Sequence, residues 1–224
     1  AWAPDHSDAA LEIVRRHGVD PERPSIVFVG RITRQKGVPF LLRAMRQVPA
    51  NVQLVFCAGA PDTPEILAEV EGLIDQLRAE RDGVVWIPDM LPREEVVALL
   101  SQATTFVCPS VYEPLGIVNL EAMACEAAVV ATATGGIPEV VVDGETGWLV
   151  PIEQVNDGTG TPVDPDTFVA DLARALTEAT SDVEEARRRG RAGRQRAVEH
   201  FGWDAIAERT QQVYATVLEG SRTA

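Results

Sequence analysis

The segment Gly30-Arg31-Ile32-Thr33-Arg34-Gln35-Lys36-Gly37 contains residues that could bind a compact anion. Arg31 carries a planar guanidinium that fits phosphate oxygens, and Lys36, the one lysine of the chain, adds a point charge close to the next predicted helix. Gly30 is expected to let the backbone turn sharply and approach a ligand. The segment therefore predicts a pyrophosphate site; the alternative interpretation is a polar loop with surface cations.

Two glutamates stand eight positions apart in the later segment Cys108-Pro109-Ser110-Val111-Tyr112-Glu113-Pro114-Leu115-Gly116-Ile117-Val118-Asn119-Leu120-Glu121. Glu113 precedes a predicted helix, and Glu121 lies on that helix about one turn further in. The first amides of a helix have no partner inside it, so they can bind an anion. Here these amides belong to Gly116, Ile117 and Val118. The spacing alone is weak evidence, but together with the basic segment it indicates a phosphate held from two sides.

A third segment, Thr132-Ala133-Thr134-Gly135-Gly136-Ile137-Pro138-Glu139, follows the last predicted strand. Its two consecutive glycines permit the backbone to come close to a bound group. We interpret Glu139 as structural. All three segments follow predicted strands, and ligands of open α/β sheets bind outside the carboxyl ends of the strands.

Several reaction types are excluded by what the sequence lacks. It has no G-x-G-x-x-G after a strand and no G-x-x-x-x-G-K-[ST], so the dinucleotide and P-loop fingerprints are both missing. It has no H-E-x-x-H and no G-x-S-x-G, which argues against a metal site and a catalytic triad. The cysteines never occur as C-x-x-C and lie in apolar stretches, so we expect reduced core residues. They are Cys57, Cys108 and Cys125.

The charge of the chain limits its partners. The 224 residues carry a net charge of −14 and the pI is near 4.6, which argues against binding nucleic acid or an anionic membrane. Between residues 23 and 61, however, the chain has six cationic residues and no acidic residue. A local positive charge of this kind is what a binding site for a small anion requires. No apolar run reaches the roughly 18–20 residues of a membrane span, and the first residues do not resemble a signal peptide. We therefore expect a soluble, cytoplasmic protein.

Short apolar runs alternate with helical patterns along the first part of the chain. The runs predict buried strands at Ser25–Val29, Val52–Cys57, Val84–Ile87, Thr104–Cys108 and Ala128–Ala131. The helical patterns cover Gly37–Val48, Pro64–Ala79, Pro92–Gln102 and Gly116–Cys125, with Pro64 and Pro92 at first helical positions. Because parallel strands need crossover helices, this alternation predicts an α/β fold, a doubly wound, mainly parallel Rossmann-like sheet with helices on both faces.

The last part of the chain has a different pattern. Pro138–Pro151 is predicted to be rich in turns, and a helix is predicted to begin at Pro165 with Asp164 as its N-cap. Asp182–His200 is dense in Glu and Arg and predicts a solvated helix without chemistry. Trp203–Leu218 carries an apolar stripe although the sheet should already be covered, so we expect it to pack on something outside this chain.

Five segments together resemble the donor-binding half of a retaining family 4 glycosyltransferase with the GT-B fold. Within this family the chain is similar to bacterial glycogen synthases that use ADP-glucose, including relatives that build maltose 1-phosphate. The sequence departs from the family at Glu126, where glycine is usual after A-M-A-C; if that position needs a positive φ, glutamate costs about 1 kcal/mol of stability. The segments are G30-R-I-T-R-Q-K-G37, C57-A-G-A-P-D-T-P64, W86-I-P-D-M-L-P92, C108-P-S-V-Y-E-P-L-G-I-V-N-L-E-A-M-A-C125 and G135-G-I-P-E139.

The resemblance implies a role for each group of residues. Arg31 and Lys36 would neutralise the departing diphosphate, and Glu113 would bind the hydroxyls of the transferred glucose. Glu121 would bind the ribose hydroxyls, the amides at the start of its helix would bind the distal phosphate, and residues 87–90 would frame the base. The resemblance implies no cofactor and no metal. The donor, ADP-glucose or a related nucleotide-sugar, is a substrate of the reaction and not a cofactor. The implied substrate-binding set is Gly30, Ile87, Met90, Leu115, Gly116, Ile117, Val118, Glu121 and Gly135.

The resemblance also implies that residues 1–224 are the C-terminal domain of a longer enzyme. Enzymes with the GT-B fold consist of two Rossmann-like domains that face each other. The resemblance implies that the final helix, residues 203–219, would cross to the missing N-terminal domain. A glucan or sugar-phosphate acceptor, an α-1,4-glucan or glucose 1-phosphate, would bind through that domain, so the chain alone is expected to be inactive. In the complete enzyme, Lys36→Ala or Arg31→Ala is expected to lower turnover by roughly 10²-fold or more.

Three alternatives stay open at this point. The donor of the same reaction could be a UDP- or GDP-sugar, because base choice depends on few contacts. The chain could instead be a non-catalytic nucleotide-sugar-binding module, or a sheet that binds no nucleotide. Titration with ADP, UDP and GDP separates the first alternative from the ADP-glucose reading.

Overall fold

The computed structural model describes residues 2–220. Six strands within this range form a single sheet. The strand order is β3-β2-β1-β4-β5-β6, and every neighbouring pair is parallel. This is the order of a Rossmann fold, in which the strand order along the sheet reverses between β1 and β4. The strands are β1 (Ser25–Arg31), β2 (Gln53–Gly59), β3 (Val84–Ile87), β4 (Thr105–Cys108), β5 (Ala128–Thr132) and β6 (Gly147–Val150).

Helices connect the strands and cover both faces of the sheet. On one face, α2 and α3 pack together and α7 packs on α2; on the other face, α1 packs on α4 and α5 on α8. The predicted α/β fold class is confirmed. The helices are α1 (Asp8–Arg16), α2 (Val38–Met45), α3 (Pro64–Glu80), α4 (Arg93–Gln102), α5 (Ile117–Ala124), α6 (Ile137–Val140), α7 (Pro165–Ser181), α8 (Val183–Phe201) and α9 (Trp203–Gly220).

Alternating side chains of the central strand fill two separate cores. Ile26 and Phe28 of β1 face the core beneath α2, α3 and α7, whereas Val27 faces the core beneath α1, α4, α5 and α8. The ring of Phe28 stacks on that of Phe56 at a centroid distance of 5.2 Å. Successive side chains of a strand point to opposite faces, so a central strand of a doubly wound sheet must be apolar throughout.

The predicted caps explain where two long helices begin. The hydroxyl of Thr63 accepts a hydrogen bond from the Ile66 amide, which leaves Pro64 at the first position of α3. The carboxylate of Asp164 accepts from the amides of Asp166 and Thr167 at the start of α7. These oxygens satisfy amides that have no partner inside the helix.

Three local predictions were wrong. The turn-rich interpretation of Pro138–Pro151 missed β6, because a strand of four residues beginning at Gly147 has too little apolar sequence to be distinguished from a turn. Gly30 does not turn the chain: it lies inside β1 and pairs with Ala58, so the strand runs two residues beyond its predicted end at Val29. Pro92 is the N-cap of α4 and not its first helical residue.

The helix α8 was predicted to be solvated, but one of its faces is buried. Ala186, Gly190 and Ala197 of α8 are buried, on a helix that packs against α5, β5 and β6. A Cβ at Gly190 would lie 2.0 Å from the carbonyl oxygen of Glu126, so the helix approaches the chain between α5 and β5 more closely than any larger residue allows. The prediction failed because small residues, which carry no apolar signal, form this face.

The last helix, α9, packs on α8 and leaves a stripe of apolar side chains exposed. Trp203 is 88% exposed, and Val213 and Tyr214 are also exposed. The predicted partner of this stripe stays a prediction. Among residues 2–220, no helix combines the length and the apolar character that crossing a membrane requires.

Candidate functional site

The loops after β1 and β4 meet at the carboxyl edge of the sheet, where the strand order reverses. A crevice at this point is the usual ligand site of open α/β sheets. The loop after β1 contains the basic segment, and the loop after β4 contains Glu113 and leads to the α5 amides that were predicted to face that segment across an anion. The predicted elements are therefore brought together.

Two hydrogen bonds and one close backbone contact fasten these loops to each other. The side-chain amide of Gln35 donates to the Tyr112 carbonyl at 3.0 Å, and the Val111 amide donates to the Gln35 carbonyl at 2.9 Å. Gly37 adopts a φ of 64°, and a Cβ there would lie 1.9 Å from the Pro109 carbonyl oxygen. Only glycine fits this position, since both its conformation and its contact exclude a side chain.

Lys36 and Glu113 form an ion pair at the centre of the site. The distance from Lys36 Nζ to Glu113 Oε2 is 2.6 Å, and the side chains are only 20% and 9% exposed. The buried hydroxyl of Ser110 donates to the same carboxylate oxygen at 3.2 Å. The two groups predicted to bind different parts of one ligand are thus bonded to each other.

The loop after β5 completes the site from the far side. The Gly136 amide donates to the Glu113 carbonyl at 2.9 Å. Gly135 has a φ of 54°, and a Cβ there would lie 2.0 Å from the same carbonyl oxygen. Glycine at this position therefore lets the third loop support the backbone of Glu113, a structural reason for a residue that we had predicted to contact the ligand.

The amino end of α5 points its free amides toward this region. Gly116 is the N-cap, with a φ of 85° that favours glycine. Within the part of the chain that the structure describes, no acceptor takes the amides of Gly116, Ile117 or Val118. Leu115 and Ile117 carry exposed apolar side chains beside these amides. The arrangement provides partial positive charge for an anion.

Asn119 is a polar residue of this region that the sequence analysis did not identify. Its side chain is fully buried, and neither its amide nitrogen nor its oxygen has a hydrogen-bond partner among residues 2–220. The nitrogen lies 2.4 Å from the place that a Cβ of Gly116 would occupy. Ser110 and Gln35 were also missed, because serine and glutamine in a loop give no signal without the spatial neighbours.

Glu121 lies on α5 and is half-buried. Burial raises the pKa of its carboxyl group above the ordinary value. No cation among the described residues forms an ion pair with it. A partly desolvated carboxylate without a cationic partner is suited to accept hydrogen bonds from neutral donors such as hydroxyl groups.

Arg31 lies on the other side of the site, at the rim of a cavity of about 400 Å³. Its guanidinium pairs with the exposed Asp62 at 3.0 Å. Gly30, Cys57 and Met90 also line this cavity. Burial raises the pKa of the Cys57 thiol to about 12, so the thiol stays neutral and forms part of an apolar wall.

The two residues predicted to frame a base differ in position. Met90 is 94% exposed at the cavity mouth, whereas the side chain of Ile87 is buried in the core and does not line the cavity. The chain after Ile87 reaches the cavity wall, beginning with Pro88 and Asp89. Another cavity, of about 380 Å³, lies at the opposite edge of the sheet beside Arg23 and Gln102, away from all predicted site residues.

Other cations of the basic segment do not contribute to the site. Arg34 and Arg43 both pair with Glu69, and Arg46 pairs with Glu80. These glutamates lie on α3, so this helix neutralises three of the six cations between residues 23 and 61. Lys36 is the cation that reaches the centre.

The family described as "Glycosyl transferases group 1" matches residues 10–196. The chain belongs to this family. The predicted resemblance is thereby confirmed, and the chain is a glycosyltransferase domain. Its sheet topology matches one Rossmann-like half of the GT-B glycosyltransferases.

Similar group 1 glycosyltransferases include two mycobacterial enzymes and one solved structure. The alpha-maltose-1-phosphate synthase of Mycolicibacterium smegmatis is 50% identical over 216 residues, which cover 96% of this chain and 54% of that protein. The glycogen synthase of Mycobacterium tuberculosis is 32% identical over 226 residues, which cover 93% of this chain and 49% of that protein. The sucrose-phosphate synthase of Thermosynechococcus elongatus is 31% identical, with a TM-score of 0.75 over 98% of this chain and 50% of that one. The chain spans about half the length of these relatives.

Proposed function

We propose that this chain is the donor-binding half of a retaining glycosyltransferase that moves glucose from ADP-glucose to an α-1,4-glucan or to glucose 1-phosphate. The observation that carries the proposal is the convergence of Lys36, Glu113 and the free amides of α5 at the strand-order reversal. Similarity to an alpha-maltose-1-phosphate synthase and to a glycogen synthase supports the choice of reaction.

The site is suited to stabilise charge on a leaving diphosphate. The ammonium of Lys36 and the amides of Ile117 and Val118 provide positive potential on two sides of one space. In a largely buried site such groups act without the screening of bulk water, and removing one costs roughly 10²-fold or more in rate. In the proposed transfer the acceptor hydroxyl attacks the anomeric carbon on the face that the diphosphate leaves. The bond from this carbon to the diphosphate breaks, and the hydroxyl proton passes to the departing diphosphate.

The two glutamates are suited to bind hydroxyl groups. Glu113 faces the central space with one carboxylate oxygen already bonded to Lys36 and Ser110. Glu121 has a half-buried carboxylate. We assign the transferred glucose to Glu113 and the ribose to Glu121, because carboxylates accept hydrogen bonds from adjacent hydroxyl pairs.

The base is assigned to the cavity between Arg31 and Met90. Its wall is largely apolar, with Cys57 neutral, and it lies on the far side of β1 from the central ion pair. Arg31 at its rim lies between base and diphosphate in this arrangement. We further propose that the exposed stripe of α9 packs against an acceptor-binding half, and that this chain alone transfers no sugar.

Calorimetric titration of the chain with ADP-glucose, UDP-glucose and GDP-glucose tests the proposed donor. The proposal predicts one site and an affinity for ADP-glucose at least about tenfold above that for the other two donors. Tighter binding of UDP-glucose or GDP-glucose would show that the donor assignment is wrong, while the assignment of the binding site would stand. Absence of heat with all three would reject the proposed function.

The variant Arg46→Gln is a matched control for the loss of a cation. Arg46 lies in the same stretch without acidic residues as Lys36, residues 23–61, but its guanidinium pairs with Glu80 on the surface at 2.8 Å. Arg46→Gln is expected to bind ADP-glucose as the unaltered chain does, whereas Lys36→Gln is expected to lose at least about tenfold in affinity.

A further inference from the structure

We infer that the Lys36–Glu113 ion pair makes the site select a nucleotide-sugar over the nucleoside diphosphate that the reaction releases. This inference rests on the proposed function and adds a selectivity to it. Glu113 holds the cation that a diphosphate needs. A ligand that takes Lys36 must also provide hydrogen-bond donors for Glu113.

The geometry of the pair supports competition for Lys36. The ammonium and the carboxylate are 2.6 Å apart, at the short end of charge-assisted hydrogen bonds. Both side chains are mostly buried, so water does not readily replace either partner. The loops that carry them are fastened through Gln35, Val111 and Gly37, which limits how far the two groups can separate.

The cost of breaking the pair falls on Glu113. If a bare diphosphate draws Lys36 away, the carboxylate of Glu113 keeps only the hydrogen bond from Ser110 and faces a negative ligand in a buried space. An uncompensated buried charge is strongly unfavourable. The hydroxyls of a transferred sugar donate hydrogen bonds to that carboxylate, so a nucleotide-sugar removes the penalty that the bare diphosphate incurs.

Arg31 does not impose the same selectivity. Its partner Asp62 is an exposed side chain, and Arg31 itself is 62% exposed. Water replaces either partner when such a pair opens, and exposed pairs contribute little. The selectivity is therefore assigned to Lys36 and Glu113.

The test is a calorimetric titration of the 224-residue chain and its Glu113→Gln variant with ADP and with ADP-glucose. The unaltered chain is expected to bind ADP-glucose at least about fivefold more tightly than ADP. In Glu113→Gln, Lys36 is free of its competitor, so the affinity for ADP is expected to rise at least about fivefold and the preference for ADP-glucose to disappear.

Glu80→Gln is the matched control. It removes the same charge from an ion pair, that with Arg46 on the surface, and leaves the central site unaltered. It is expected to bind both ligands as the unaltered chain does. Thermal unfolding of each variant shows whether the protein is folded at the temperature of titration.

Two results overturn the inference while the proposed function stands. One is an unaltered chain that binds ADP as tightly as ADP-glucose, a result that needs no variant. The other is a folded Glu113→Gln variant whose affinity for ADP is unchanged or lower. If the unaltered chain binds neither ligand, the proposed function itself has failed.

Discussion

At the scale of single residues, the site depends on which charged groups are paired and which are not. Lys36 is paired with Glu113 in a mostly buried contact, whereas Arg31 is paired with Asp62 on the surface. Glu121 has a half-buried carboxylate without an ion-pair partner among the described residues. The residues that differ most from ordinary surface groups are therefore those on the loop and helix after β4.

Glu121→Gln is predicted to stabilise the fold at neutral pH and to weaken nucleotide binding. Burial raises the pKa of Glu121 in the folded chain above its value in the unfolded chain, so folding disfavours the charged form. The penalty is full above the folded pKa and vanishes below the ordinary pKa of glutamate, about 4.3. Denaturant unfolding at several pH values should show the gain at pH 7.5 and no gain near pH 4. A gain that is independent of pH would contradict this explanation.

At the scale of elements, the turn between α5 and β5 carries backbone strain. Glu126 has a φ of 65°, which confirms that this position requires the left-handed conformation that favours glycine. Its carboxylate lies 3.6 Å from the guanidinium of Arg194, a partly exposed contact that compensates little. Glycine would adopt this φ without strain.

Glu126→Gly is predicted to raise the free energy of unfolding by about 1 kcal/mol, because glycine adopts a positive φ without strain. Denaturant unfolding measures the change. Glu126→Ala is the control, since it removes the carboxylate but keeps a Cβ in the left-handed conformation. If the alanine variant is as stable as the glycine variant, charge and not strain explains the effect.

Gly190→Ala is predicted to destabilise the fold by about 1–3 kcal/mol, the usual range for overpacking. The added Cβ would lie 2.0 Å from the Glu126 carbonyl oxygen and would push α8 away from the chain after α5. Gly72→Ala in α3 is a matched control, because a Cβ there meets nothing within 4 Å. That variant should be slightly stabilised, since alanine favours a helix by up to about 1 kcal/mol over glycine. Equal effects of the two substitutions would refute the close approach.

Much of the element order could be predicted from the sequence, and the exceptions have physical causes. Five strands with β-branched or aromatic residues and two helices with side-chain caps were predictable from local patterns. The sixth strand was not, because its four residues begin with a glycine that packs against the Val129 carbonyl. The buried face of α8 was not, because it consists of alanine and glycine.

At the scale of the whole molecule, the exposed stripe on α9 is expected to contribute little to the stability of this chain. Trp203, Val213 and Tyr214 are all more than half exposed. A double substitution, Val213→Ser with Tyr214→Ser, is predicted to change the free energy of unfolding by no more than about 0.5 kcal/mol. Thermal or denaturant unfolding measures this. A large loss of stability would mean that α9 packs on the sheet layers more tightly than its exposure indicates.

Several members of the candidate site were predictable from the sequence, but their pairing was not. The sequence identified Lys36, Glu113 and the amino end of α5, because phosphate-binding groups followed strands whose ends must meet. It did not predict that Lys36 bonds to Glu113 or that Arg31 turns to Asp62, because both contacts depend on loop geometry. Local sequence patterns carry no information on such distances.

A crystal structure of the chain with ADP bound tests the central claim most directly. The account predicts the distal phosphate within hydrogen-bond distance of the Ile117 and Val118 amides, with Lys36 Nζ on a diphosphate oxygen and the base in the cavity beside Met90. A diphosphate bound elsewhere, or one that leaves the amides of α5 without contact, would contradict it.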